Sequence, residues 1–165
     1  MHTLPDAPWL LTALNELGES EIPGHRHNPR IIQYNQATAH AARDDETAWC
    51  ASFVNWCLEQ CAIEGTGSTA ARSFINWGEA IEEPSPGCIV VLWRDSPSSW
   101  KGHVGFYIGP DKQNPAAFML LGGNQGNRVS IVSYPRRQIL GFRLPEQHLL
   151  QPLGTRPALA ASRQT

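Results

Sequence analysis

The stretch Thr47-Ala-Trp-Cys-Ala-Ser-Phe-Val-Asn-Trp-Cys-Leu-Glu-Gln-Cys61 decides the fold. From Trp49 onward its spacing predicts a helix. Phe53, Trp56, Cys57, Leu58 and Cys61 recur three and four residues apart and lay an apolar stripe along one side. Thr47 is the expected N-cap, because its hydroxyl can accept from an unpaired backbone N–H of the first turn. Cys50 then lies in the first turn of a buried helix. Free N–H groups and the positive end of the helix dipole gather there, and both favour a thiolate over a thiol. Cys50 is therefore a candidate nucleophile. Cys57 and Cys61 lie deeper in the helix and are expected to act as small buried hydrophobes.

On the N-terminal side, Pro8-Trp-Leu-Leu-Thr-Ala-Leu-Asn-Glu-Leu17 predicts a helix with Pro at its first position and Gly18 as its stop. A loop rich in Pro and Gly follows, and it holds His25 and His27. Two histidines at this spacing without a third ligand nearby make a weak metal motif, and no metal or other cofactor is expected. Arg30 to His40 predicts a second helix, with Ile31, Tyr34, Ala37 and Thr38 turned inward. Ala41 to Glu46 is a polar lead-in to the central helix.

On the C-terminal side the pattern changes after a short helix over Ala70–Trp77 and a turn cluster ending at Gly87. Cys88–Trp93, His103–Ile108, Ala117–Leu121, Val129–Tyr134 and Leu140–Leu144 are short runs rich in β-branched and aromatic residues, as strands require. Helices first and an antiparallel meander of about five strands afterwards make an α+β fold. One domain over residues 1–145 and a loosely structured tail over 146–165 are expected.

The 165 residues suffice for one domain with a real core. A net charge of −2 gives no electrostatic footprint for nucleic acid or an anionic membrane. No apolar run approaches a membrane span. Met1-His-Thr-Leu-Pro-Asp6 has neither the basic nor the apolar region of a secretory leader, so synthesis in a cytosol is expected. The four cysteines show no zinc spacing, and all are expected to be reduced.

A thiolate nucleophile needs a base, and the base needs an orienting group. His103 opens a strand behind Gly102, at a rim position. Asn124 ends the next strand beside two glycines. In an antiparallel pair the end of one strand lies next to the start of its neighbour, so Asn124 can stand beside His103. The three together match the logic of a Cys-His-Asn relay; read singly, His103 is a solvated strand-start histidine and Asn124 a turn residue tolerant of left-handed geometry.

Trp49-Cys-Ala-Ser-Phe-Val54, Pro86-Gly-Cys-Ile-Val90, Gly102-His-Val-Gly105 and Leu121-Gly-Gly-Asn-Gln125 together resemble the papain-like CHAP and NlpC-type peptidoglycan amidases. The resemblance covers roughly residues 8–145 and extends to a small bacterial and phage-borne subgroup. It implies a papain-like core, with Cys50 as nucleophile, His103 as base and Asn124 as orienting residue. Many CHAP domains place a Glu two residues before this Asn; here that position is Gly122. Asn124 must then orient His103 without that acid, or another residue helps. The implied reaction is hydrolysis of a peptidoglycan amide, either muramoyl–alanine or a peptide bond. Trp49, Trp100, Gln125 and Tyr34 are the expected substrate contacts, with Trp93 a weaker one. A monomeric antibacterial effector or lysin would act in the wall of a target cell, reached by injection or lysis. A secretion apparatus and a cognate immunity protein are its expected partners. Two other readings stand beside this one: a cytosolic thiol amidohydrolase or transferase, and a catalytically silent wall-binding module.

Overall fold

The computed structural model describes residues 7–24, 27–40 and 48–146. Three α-helices come first: α1 (Pro8–Leu14), α2 (Pro29–Asn35) and α3 (Cys50–Gln60). A 3-10 segment (Ala71–Asn76) leads into six strands. These are β1 (Glu79–Ile81), β2 (Ile89–Trp93), β3 (Gly102–Pro110), β4 (Ala117–Gly122), β5 (Ser130–Pro135) and β6 (Ile139–Leu144). They form one sheet in the order β1-β6-β2-β3-β4-β5, and every pairing is antiparallel. The fold is α+β, as the change of pattern predicts. The strand count is six rather than five. β1 is three residues long and is defined by its pairing with β6, so it carries too little periodicity to be read alone. β2 to β5 make the expected meander, and β6 returns to the free side of β2.

The helices differ from expectation at their ends. α1 stops at Leu14, and Gly18 (φ +97°) instead donates its N–H to the Val129 carbonyl at 3.0 Å. α2 starts at Pro29, capped by the Asn28 side chain, which accepts from the Arg30 N–H at 2.8 Å, and it ends at Asn35. The position before α3 is Trp49, which makes no side-chain cap. Thr47, the expected cap, lies outside the described residues, as do His25 and the proposed tail beyond Glu146.

Nine of the eleven residues of α3 are buried, so the helix is a core element with little solvent face. Phe53 touches Tyr34 of α2 edge-on at 5.0 Å and Phe106 of β3 at 6.4 Å. The helix therefore bridges the N-terminal helices and the sheet. Ile89, Val91, Val104, Phe106 and Leu121 belong to this helix-side core. The other face of the sheet has its own cluster, built on Cys88, Val90, Leu92, Tyr107, Phe118 and Leu120. Two-sided burial explains why β2 reads as a continuous apolar run. All four cysteines are free thiols.

The close seating of α3 against the sheet rests on Gly123, just past β4. A Cβ there would lie 2.7 Å from the Trp49 ring and 2.8 Å from the Phe53 Cβ, and both of those side chains are fully buried. Gly123→Ala is accordingly expected to lower unfolding free energy by about 1–3 kcal/mol through overpacking. Urea denaturation against wild type measures it, and an unchanged midpoint would contradict this packing.

Candidate active site

Cys50 is the first residue of α3 and is buried. The backbone N–H groups of Val104, Ala51 and Cys50 itself face its sulfur and draw the thiol pKa down, as does the positive charge of Arg94. Burial outweighs them and pushes the thiol above its ordinary value. The helix-start argument thus finds the right groups, while desolvation reverses the net direction. Burial thus favours the uncharged form of Cys50.

His103 lies on β3 next to Val104, opposite Leu92 of β2. The expected rim position is in fact buried, with 1% of its surface exposed. Burial pulls the imidazole down to about 4; the Gln125 hydrogen bond opposes this, and the Arg94 charge adds to it. The ring is neutral at physiological pH.

The imidazole's partner is Gln125. His103 Nε2 lies 2.8 Å from Gln125 Oε1. The direction of this bond follows from the other end of the amide. Gln125 Nε2 donates to the Ser130 carbonyl at 2.7 Å and to the Leu120 carbonyl at 3.4 Å, so the oxygen must face the ring. The Tyr134 hydroxyl donates to the same oxygen at 3.1 Å. An oxygen can only accept, so Nε2 carries the proton and Nδ1 keeps the lone pair. This is the tautomer a general base needs.

Asn124, the expected orienting residue, occupies the left-handed region with φ 59° in the turn between β4 and β5. It makes no hydrogen bond to the imidazole. The next residue takes the place, because the chain reverses at Asn124 and Gly126 and turns the Gln125 side chain back under β4. Gly122 makes room for it: a Cβ at that position would lie 2.7 Å from Gln125 Oε1 and 3.4 Å from His103 Nε2. The site where many CHAP domains carry Glu is thus filled from Gln125.

Gln125 is therefore a buried hydrogen-bond partner of His103 rather than an exposed substrate contact. Two other expected contacts are core residues. Trp49 and Tyr34 are fully buried, with ring centroids 5.8 Å apart. The Trp49 indole donates to Glu21 Oε2 at 2.8 Å, and the Tyr34 hydroxyl donates to Glu16 Oε1 at 2.6 Å. Buried Trp and Tyr need such partners for their polar atoms. Trp93 is half-buried under Arg137, and its indole donates to the Arg137 carbonyl at 3.1 Å.

Trp100 is different. It is 81% exposed, in the loop just before His103. Arg72 of the 3-10 segment holds that loop, donating to the backbone carbonyls of Lys101, Pro97 and Ser96 at 2.7, 2.8 and 3.0 Å. Among the described residues no group of three His, Cys, Asp or Glu comes together.

Tyr134, Arg94 and Arg72 were not singled out from sequence. Tyr134 stands at the inward phase of an alternating strand, its ring centroid 5.4 Å from that of His103. That phase was readable, but its partner across two strands was not. We expect Gln125→Ala to lower kcat by about 10- to 100-fold, as an imidazole free to choose the wrong tautomer would. Tyr134→Phe should lower it several-fold and shift the acid limb of the pH–rate profile, while Asn124→Ala stays near wild type. Steady-state kinetics across pH separates the three, and a severe kcat loss in Asn124→Ala with Gln125→Ala unaffected would reverse the assignment.

No curated protein matches the sequence. The profile of the CHAP domain family matches residues 42–124, half of the chain, spanning Cys50, His103 and the turn at Asn124. Cys50, which opens the buried helix, and His103, next to Val104 on β3, both lie inside the matched residues, and Gln125 follows directly after them. The chain belongs to the CHAP family, whose domains are in general amidase- and peptidase-type hydrolases of peptidoglycan.

Proposed function

We propose that the protein hydrolyses an amide bond in the peptide part of peptidoglycan, with Cys50 as nucleophile, His103 as base and Gln125 as orienting group. The observation that carries this reading is the fixed tautomer of His103, with Nδ1 bare and Nε2–H held by Gln125. Nδ1 removes the Cys50 proton as the sulfur attacks the scissile carbonyl carbon. Burial disfavours the charged form of both groups, which fits proton transfer in step with attack. The backbone N–H of Cys50 lies at the helix start, where it can donate to the developing oxyanion. The tetrahedral adduct collapses as the imidazolium gives its proton to the leaving amine, and a thioester remains. His103 then takes a proton from water, the hydroxide attacks the thioester, and the acid product leaves with the thiol restored. The exposed Trp100, on the loop that Arg72 holds, offers a stacking face for sugar or peptide beside the site.

The use of the enzyme as an injected antibacterial effector or a lysin is likewise a proposal. It rests on the Trp-Cys-Ala-x-Phe-Val-Asn-Trp-Cys and Gly-Gly-Asn-Gln stretches shared with the bacterial and phage-borne subgroup. An immunity protein would then act by covering the Trp100 side of the site.

Cys50→Ala is expected to abolish release of new amine ends from purified peptidoglycan while the protein stays folded. Mass spectrometry of the digested muropeptides identifies the bond, and full activity in a folded Cys50→Ala protein rejects the mechanism. Cys57→Ala should keep the chemistry.

The pH dependence has a defined sign. The base form of His103 persists until pH falls through about 4, so kcat/KM should stay level through neutrality and drop on that acid limb. Stability follows the same group. Its folded pKa, about 4, lies below the ordinary 6.5, so its contribution is complete above 6.5 and is lost as pH falls towards 4. The loss amounts to about 1.4 kcal/mol per pH unit and about 3 kcal/mol in total. Urea titrations at several pH values should find this slope in wild type and a shallower one in His103→Asn.

A further inference from the structure

Arg94 follows β2 directly, and its backbone N–H reaches the Lys101 carbonyl at 3.4 Å. Leu92 pairs with His103, so the antiparallel register carries Arg94 onto the imidazole's face of the sheet, further towards solvent. Its side chain is exposed. The neighbouring cations are occupied. Lys101 pairs with Asp95 at 3.2 Å, Arg72 is held by three carbonyls, and Arg137 lies over Trp93 at 5.6 Å. Among the described residues Arg94 has no carboxylate partner. Its charge is felt by the Tyr134 hydroxyl, the Cys50 thiol and the His103 ring.

In the resting enzyme this charge works against the base, because it lowers the proton affinity of His103. A carboxylate seated on Arg94 would remove that penalty at the moment the amide is presented to Cys50. The guanidinium fork suits a planar two-oxygen anion better than a point charge would.

Resting on the hydrolase reading above, we infer that Arg94 is the anchor for a free carboxylate of the substrate, close to the amide that Cys50 attacks. The substrate class is then an acidic stem peptide rather than its carboxamide form. Binding also offsets the Arg94 charge that opposes protonation of His103, while the larger effect of burial remains.

The test uses the full chain and a pair of muropeptides that differ only in whether the glutamate side branch is a free carboxylate or a carboxamide. Wild type should favour the acid by about 10- to 100-fold in kcat/KM, as loss of a charge-assisted hydrogen-bond pair implies. The preference should shrink as salt rises. Arg94→Gln should bring the ratio close to one, and Arg94→Lys should keep part of it. Equal cleavage of both peptides by wild type, or an undiminished ratio in Arg94→Gln, overturns the carboxylate anchor and leaves the hydrolase standing. Cleavage of neither peptide by wild type removes the hydrolase reading and the anchor with it.

Discussion

One amide group with no freedom to flip underlies the site. Gln125 Nε2 is committed to two backbone carbonyls, and its oxygen has nowhere to point except towards His103. Reversing the amide would set an NH2 group against Nε2–H and a carbonyl against two carbonyls. A buried unpaired donor or acceptor costs about 1–3 kcal/mol, so such a flip is effectively forbidden. The backbone of the same residue is tied as well. Its N–H donates to the Arg128 carbonyl at 2.9 Å, and its carbonyl accepts from the Ser130 hydroxyl at 3.0 Å. A neutral amide orients the base without adding a negative charge beside it. The Gln125 hydrogen bond raises the imidazole's proton affinity somewhat, but burial dominates and keeps it low.

Two adjacent glycines make this arrangement possible for different reasons. Gly122 leaves the volume into which the Gln125 carbonyl enters, and Gly123 leaves the volume into which the Trp49 ring and Phe53 press. One therefore makes room for the His103–Gln125 hydrogen bond and the other for the seating of α3. The turn they open contains three residues of positive φ, Asn124, Gly126 and Asn127. Asn and Gly are the residues that take such geometry at least cost.

Much of this was legible in the sequence. The spacing in Trp49–Cys61 gave the buried helix, and the β-branched runs gave five of the six strands within a few residues. Cys50 and His103 could be singled out because a helix start and a strand start are positions with chemical consequences. The choice between Asn124 and Gln125 was not legible. It depends on the sign of φ at Asn124, which a run such as Gly-Gly-Asn-Gln-Gly leaves open. Trp49 and Tyr34 misled because large aromatic residues beside a catalytic motif suit a cleft and a core equally well. Their acidic partners, Glu21 and Glu16, come from distant stretches whose approach only the tertiary fold defines. The direction of the Cys50 shift was hidden for a related reason: dipole and N–H effects are local and readable, while the desolvation that outweighs them is not.

The clamp on the loop before His103 has a consequence of its own. Arg72 grips the carbonyls of residues 96, 97 and 101 and no side chain of that loop. A main-chain carbonyl is the same whatever residue bears it. Most of the intervening side chains can therefore be exchanged while the loop keeps its course. The rim beside His103 is in this sense a mount with replaceable fittings: what it presents can change without rebuilding the backbone beneath it.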